Sequence, residues 1–193
     1  MIRMKFSALA AAFAMLALGG SAALTPAAAQ TRIFDELKVG VLAHDVSIFG
    51  HHKETGGDVN LELLFTSPDF LRILGAPRPH IGTDVNSDGN TSQFYAGLTW
   101  HLTLLPGVMA KSDALYVEAS LGGAIHNGEA DGPDNPNEKR LGSVALFRES
   151  LELGWKFTDF QTIGIYMDHI SNADLATHNQ GLTNLGLRMG FKF

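Results

Sequence analysis

His169 and Ser171 are the residues whose types and spacing offer chemistry in this sequence. On an extended chain, residues two apart project from the same face, so the imidazole and the hydroxyl point to one side. A serine becomes a nucleophile when a base stands within hydrogen-bond reach and a third group orients that base. Such a pair offers nucleophilic chemistry, a hydroxyl with an imidazole on the same face that could serve as its base. The two side chains meet only if the strand end bends. A polar girdle at a membrane interface would show the same spacing, so spacing alone leaves both readings open.

The element that must position this pair is a strand. Ile163, Ile165, Met167, His169 and Ser171 fall on one face; Thr162, Gly164, Tyr166 and Asp168 fall on the other. The pair therefore continues an apolar stripe. The same alternation recurs along the chain. Leu37, Val39, Val41 and Ala43 form one stripe, and Val59, Leu61, Leu63 and Phe65 the next. Residues 67–79 hold three prolines and read as a connection, with one helical turn near 70–73 and a weaker strand over 78–85. Further stripes are Phe94 to Leu102, Leu115 to Leu121, Phe147 to Phe157, and Leu185 to Phe193, each on alternate residues. Polar loops separate them, the longest near 127–140. With the strand of the pair, this makes eight.

The two faces differ in kind. The apolar set runs unbroken over four or five positions per strand, about the height of a lipid-facing band. The other set is Gly, Arg, Lys, Glu, Tyr and Thr, which suits a narrow lumen filled by side chains. Trp100, Trp155, Phe157, Phe191 and Phe193 sit near strand ends, as girdle aromatics do. The pattern predicts an all-β fold: an eight-stranded antiparallel transmembrane β-barrel of the outer-membrane type. A soluble lipocalin-like barrel, with its apolar face inside, is the rival. The charged lumen set and the terminal Phe193 weigh against it.

The start of the chain has the form of an export signal. Arg3 and Lys5 precede an apolar run over 8–18, and Ala27, Ala28 and Ala29 form a small-residue cleavage site. The run is shorter than the ~20 residues of a spanning helix. The expected division is 1–29 signal and 30–193 barrel. Without Arg3 and Lys5 the chain carries 12 basic against 20 acidic residues, which argues against a nucleic-acid partner. The absence of cysteine removes disulfide and thiolate chemistry.

With both termini periplasmic, the turn at Thr158-Asp159 is periplasmic and the loop 172–181 extracellular. His169 and Ser171 then face the outer leaflet, which is lipopolysaccharide in a Gram-negative outer membrane.

The run His169-Ile170-Ser171-Asn172-Ala173, the later Asn179-Gln180-Gly181 and the terminal strand resemble the lipid A 3-O-deacylase family of outer-membrane enzymes. The likeness extends from Phe147 onward; the remainder is similar in pattern only. The resemblance implies an eight-stranded barrel that hydrolyses the ester at the 3-position of lipid A with no cofactor. It implies His169 as general base, Ser171 as nucleophile, and Asn172 with backbone N–H groups from Ala173 onward as the oxyanion hole. Asn179 matches the family's loop asparagine, and Phe147 its aromatic in the preceding strand. Phe147, Leu151 and Met167 would line the acyl groove. The family's third triad member, a glutamate, falls on Thr183. A hydroxyl accepts a hydrogen bond from an imidazole but does not neutralise an imidazolium, and in the serine-protease template losing the acid costs up to ~10⁴ in rate. Glu149 is the candidate substitute, the alternative being an interfacial glutamate paired with a base such as Arg148. Glu149 has outward parity, and a hairpin at 158–159 sets it nearly opposite His169, with Cβ atoms ~5 Å apart. Asp168 points to the lumen.

Lipid A in the outer membrane is thus the expected partner, and a homodimer is left open. Thr183 favours the alternative, a structural or adhesive barrel without catalysis. Other motifs carry less. Asp84, Asn86, Asp88 and Gly89 match half of an EF-hand loop, but Tyr95 stands where the bidentate glutamate belongs. That segment reads as a hairpin loop, and His51-His52 as solvated loop without metal spacing.

Overall fold

A computed structural model describes residues 32–132 and 134–193; the segment read as a signal, 1–29, lies outside them. Eight strands form one closed antiparallel barrel. They are β1 (Phe34–Ala43), β2 (Gly57–Phe65), β3 (Arg78–Asn86), β4 (Gln93–Pro106), β5 (Ala114–His126), β6 (Ala145–Lys156), β7 (Gln161–Ser171) and β8 (Leu182–Lys192). Each strand pairs with its neighbours in sequence, and β1 closes on β8 through pairs such as Val39 with Met189. Closure leaves no sheet edge around the wall and satisfies the backbone within it, which a lipid environment demands.

The expected strands are all present, several of them longer than the stripes, β5 running on to His126. The connection after β2 holds a 3-10 turn at Asp69–Leu74, slightly longer than the single turn expected. Strand β4 continues past Leu102 to Pro106. Its last partner on β3 is Arg78, opposite Thr99; beyond that it pairs with β5 alone, where Thr103 meets Tyr116. The half EF-hand sequence is the β3–β4 hairpin. Asp84 accepts hydrogen bonds from Asn60 (2.6 Å) and Gln93 (2.6 Å) inside the barrel, while Asn86 Oδ1 accepts from the backbone of Asp88 and Asn90.

Side-chain parity decides the solvent arrangement. The buried groups are largely polar, and many are charged, among them Glu36, Lys38, Glu62, Glu118, Arg148, Glu152, Asp168 and Arg188. Lys38 Nζ pairs with Glu118 (2.5 Å) and Glu152 (2.9 Å), Arg188 with Glu62 (3.2 Å) and Glu152, and Arg148 with Asp168 (3.0 Å). Arg148 also lies 3.4 Å over the Tyr95 ring and Arg188 3.5 Å over Tyr166. Glycines make room for the rings: a Cβ at Gly82 would strike Tyr95, and one at Gly154 would strike Tyr116. The outward positions are apolar and open, with Leu61, Phe94, Leu121, Leu151, Leu153, Ile165 and Leu187 all exposed. A soluble barrel would hold these residues inside and the charges out. The inverted arrangement is that of a transmembrane barrel.

Candidate active site on the outer wall

The antiparallel register sets the pair among its neighbours. Across β6, β7 and β8 run three rows of outward residues. Phe147 stands opposite Ser171; Glu149 opposite His169, which is itself opposite Thr183; and Leu151 opposite Met167, which faces Leu185. The three residues expected to line an acyl groove therefore border the pair. Phe147 and Leu151 are exposed and Met167 is half-buried.

His169 is half-buried and held from three sides. Its Nδ1 lies 2.7 Å from Thr183 Oγ1. The backbone of Gly181 (φ 53°) lies against the ring, so close that a Cβ there would sit 2.8 Å from Cε1 and 3.2 Å from Nε2. The Phe49 ring meets the imidazole edge-on, with centroids 5.6 Å apart and planes at 73°. Ser171 shares the face and is half-buried. Among the described residues no hydrogen bond joins it to His169. Catalytic hydrogen bonds are often long or poorly aligned before substrate binds, so the missing bond does not exclude the pair.

The expected orienting acid stands where the expected register puts it but makes no bond to the ring. Glu149 does stand opposite His169, but among the described residues no hydrogen bond or ion pair joins them. Glu149 is exposed, while the buried Thr183 hydroxyl holds Nδ1. Asn172, expected to support the oxyanion hole, has its donors turned to the loop. Its backbone N–H donates to Asn179 Oδ1 (3.0 Å), and its side-chain amide donates to the carbonyls of Leu141 (2.8 Å) and His178. Both donors are engaged, so Asn172 and Asn179 anchor the outer loop. Asn179 Nδ2 in turn donates to Asp174 Oδ1 (2.9 Å). What this anchoring shapes is a turn with left-handed backbone at Ala173 (φ 55°) and Asp174 (φ 60°), closed by Leu175 N–H donating to Asn172 O (3.1 Å). The N–H groups of Ala173 and Asp174 make no hydrogen bond among the described residues.

The β1–β2 loop, residues 44–56, of which the sequence reading singled out only His51-His52, supplies Phe49. Its base is a cluster of buried charges. His44 lies between Asp58 (Nδ1, 2.9 Å) and Glu54 (Nε2, 3.0 Å). Glu54 also accepts from Thr91 and from the Lys139 backbone (2.8 Å). Asp45, itself left-handed (φ 49°), accepts from the backbone of Lys53 (2.6 Å) and Glu54 (3.0 Å) and pairs with Lys139 Nζ (2.9 Å). The apolar Ile48-Phe49 step in a polar loop was the signal available in the sequence.

Burial alone would lower the pKa of His44, but its hydrogen bonds to Asp58 and Glu54 outweigh this and raise it from 6.5 to about 9. The charged form is therefore the one that holds the loop. Its contribution is full below the unfolded pKa and fades as pH rises through the folded one. Trypsin cleavage after Lys53, normalised to a free peptide, is expected to be faster at about pH 9.5 than at about pH 7. His44→Gln should be cut quickly at both. Equal wild-type rates at the two values would refute this.

The sequence model of the lipid A 3-O-deacylase (PagL) family matches residues 69–192. A curated relative, lipid A deacylase PagL of Bordetella bronchiseptica, is 27% identical over 108 residues, which is 55% of this chain and 56% of that protein. The chain thus aligns with little more than half of the relative's length. Among solved structures, the crystal structure of the outer membrane enzyme PagL superposes with a TM-score of 0.58 at 18% identity, covering 82% of this chain and 99% of that one. The N-terminal β-barrel domain of Pseudomonas aeruginosa OprF superposes at 0.50 and 13% identity, covering 85% and 100%. At these identities the superpositions speak for the fold alone. The family match runs from the 3-10 turn through β8, well over half of the sequence, and the chain belongs to the lipid A 3-O-deacylase (PagL) family.

Proposed function

We propose that this barrel lies in the outer membrane, after export by the segment 1–29, and removes the 3-O-linked acyl chain of lipid A with Ser171 as nucleophile and His169 as base. What supports the reading is the shared parity of both half-buried side chains at the end of β7, in rows bordered by Phe147, Leu151 and Met167.

The proposed steps follow from the contacts. When Nδ1–H donates to Thr183 Oγ1, the lone pair of His169 lies on Nε2, on the ring edge free of Thr183. Nε2 takes the Ser171 proton as Oγ attacks the acyl carbonyl. The backbone N–H groups of Ala173 and Asp174, preset by the left-handed turn, are the donors for the oxyanion. The imidazolium returns its proton to the departing 3-hydroxyl oxygen of the sugar. Water, deprotonated by His169, then releases the fatty acid from Ser171. Glu149 opposes the imidazolium across the strand pair without touching it, so its help is through-space.

The non-catalytic reading rests on Thr183, which supplies no charge to the imidazolium. Mass spectrometry of lipid A separates the two. Cells expressing the wild type should lose one 3-hydroxyacyl group per lipid A, and cells expressing Ser171→Ala should lose none. Unmodified lipid A beside folded wild type in the membrane would remove the enzymatic reading.

A further inference from the structure

We propose that Phe49 is a positioning residue of the active site, delivered across β8 by the β1–β2 loop to hold the His169 imidazole. The inference rests on the proposed Ser-His reaction and adds to it a segment that lies outside the family match, which begins at residue 69.

The loop starts on β1, two strands from the histidine, with β8 between them. Three contacts carry it over. Asp45 N–H donates to Asn184 Oδ1 (3.2 Å), and Val46 N–H donates to the carbonyl of Thr183 (2.7 Å), so the chain leaving β1 stays pinned to β8. The Asp45 carboxylate then gathers the returning limb through the Lys53 and Glu54 backbone and through Lys139. What remains between the pins is a short excursion whose tip carries Phe49 to the imidazole on β7.

The need for such a contact follows from Thr183. An ionised carboxylate fixes an imidazole by charge and by its acceptor-only character. A hydroxyl does neither, so the ring's orientation falls to packing. Gly181 lies against the ring, Thr183 takes Nδ1, and Phe49 closes a further side. An exposed phenylalanine gains little from burial within the protein, so its ordered contact with the histidine is what the loop's pinning achieves. A misplacement of the base by about 1 Å costs as much as 10²-fold in rate.

The test measures the reactivity of Ser171 separately from turnover of lipid A. Alkyl fluorophosphonates of short and long chain phosphonylate an activated serine: Oγ bonds to phosphorus, fluoride leaves, and the base takes the proton. The full-length barrel is refolded in detergent, and its closure is checked by the gel shift on heating. Phe49→Ala is expected to slow Ser171 labelling roughly tenfold or more with both probes, and Phe49→Tyr to keep the wild-type rate. Wild-type labelling by Phe49→Ala would overturn the proposal. So would a loss confined to the long-chain probe, since that marks a lipid contact and not a hold on the base. A wild type that is labelled but leaves lipid A unmodified removes the substrate assignment while this role stands. A wild type that is not labelled removes the Ser-His pair and this role together.

Discussion

Thr183→Glu is expected to raise kcat for lipid A deacylation by ~10²-fold or more, within the ~10⁴ that a triad acid contributes in the serine-protease template. The position is already the one that touches the proposed base. Thr183 stands opposite His169 in the β7–β8 register and bonds its Nδ1 at 2.7 Å. A threonine hydroxyl serves as donor or acceptor, so it tolerates the tautomer that places the proton on Nε2, where it blocks attack by Ser171. A carboxylate only accepts, which fixes the proton on Nδ1 and opposes the charge that forms on the ring. Burial of Thr183, at 3% exposure, makes an unpaired carboxylate costly there and strengthens it once the imidazolium forms. Thr183→Val should lower kcat by roughly tenfold, since one hydrogen bond to the base is lost. Glu149→Gln should stay within about threefold, because an exposed group without contact acts weakly through space. Steady-state kinetics on purified lipid A in detergent reads all three. A Thr183→Glu protein no faster than wild type, with the fold intact, would show that packing and not charge limits the base. A Glu149→Gln loss as large as that of Thr183→Val would return the orienting role to Glu149.

Glu152→Gln carries the largest expected effect on stability. In the lumen, Glu152 Oε1 accepts from Lys38 (2.9 Å) and Tyr116 (2.5 Å), and Oε2 accepts from Arg188 Nε (2.8 Å) and Nη2. The neutral amide leaves Lys38 with Glu118 and Arg188 with Glu62, two buried cations each short of a partner. Breaking a buried ion pair by removing one member costs 3–5 kcal/mol, because the remaining charge stays out of water, so a loss of about 3 kcal/mol is expected. Urea unfolding in lipid vesicles, followed by tryptophan fluorescence, measures it. A change below about 1 kcal/mol would mean that the lumen rehydrates without strain. Because the network lies inside and the site outside, labelling of Ser171 should be unchanged in this variant. A matching loss of labelling would show that wall and lumen are coupled.

How much of this was legible in the chain follows from how far each signal reaches. Strand faces are set by a period of two residues, which is local. Arg148 and Glu149, or Asp168 and His169, are adjacent yet belong to opposite sides of the wall, and alternation alone assigned them correctly. The short turn at 158–159 likewise set Glu149 opposite His169, as the register has it. A tight hairpin determines its register from within. Alternation also told lipid from lumen, since only a membrane barrel places Leu151 and Leu153 outward and Glu152 inward.

The partners of the site lay beyond that reach. Whether Nδ1 would meet Glu149 or Thr183 depended on which way the ring turned. Around the ring as it lies stand Gly181 and Phe49, from two loops far apart in sequence. Asn172 had the right type for an oxyanion donor, but carbonyls at Leu141 and His178 claimed its amide. Phe49 reaches the histidine only because Asp45, Lys139 and Asn184, brought together by closure of the barrel, pin its loop across β8. The sequence by itself thus determined the barrel, its inside and outside, and the outward parity of His169 and Ser171, because side-chain parity is written residue by residue. The tertiary structure alone decided what holds the imidazole, because loop conformation is the sum of contacts between segments that no local pattern joins.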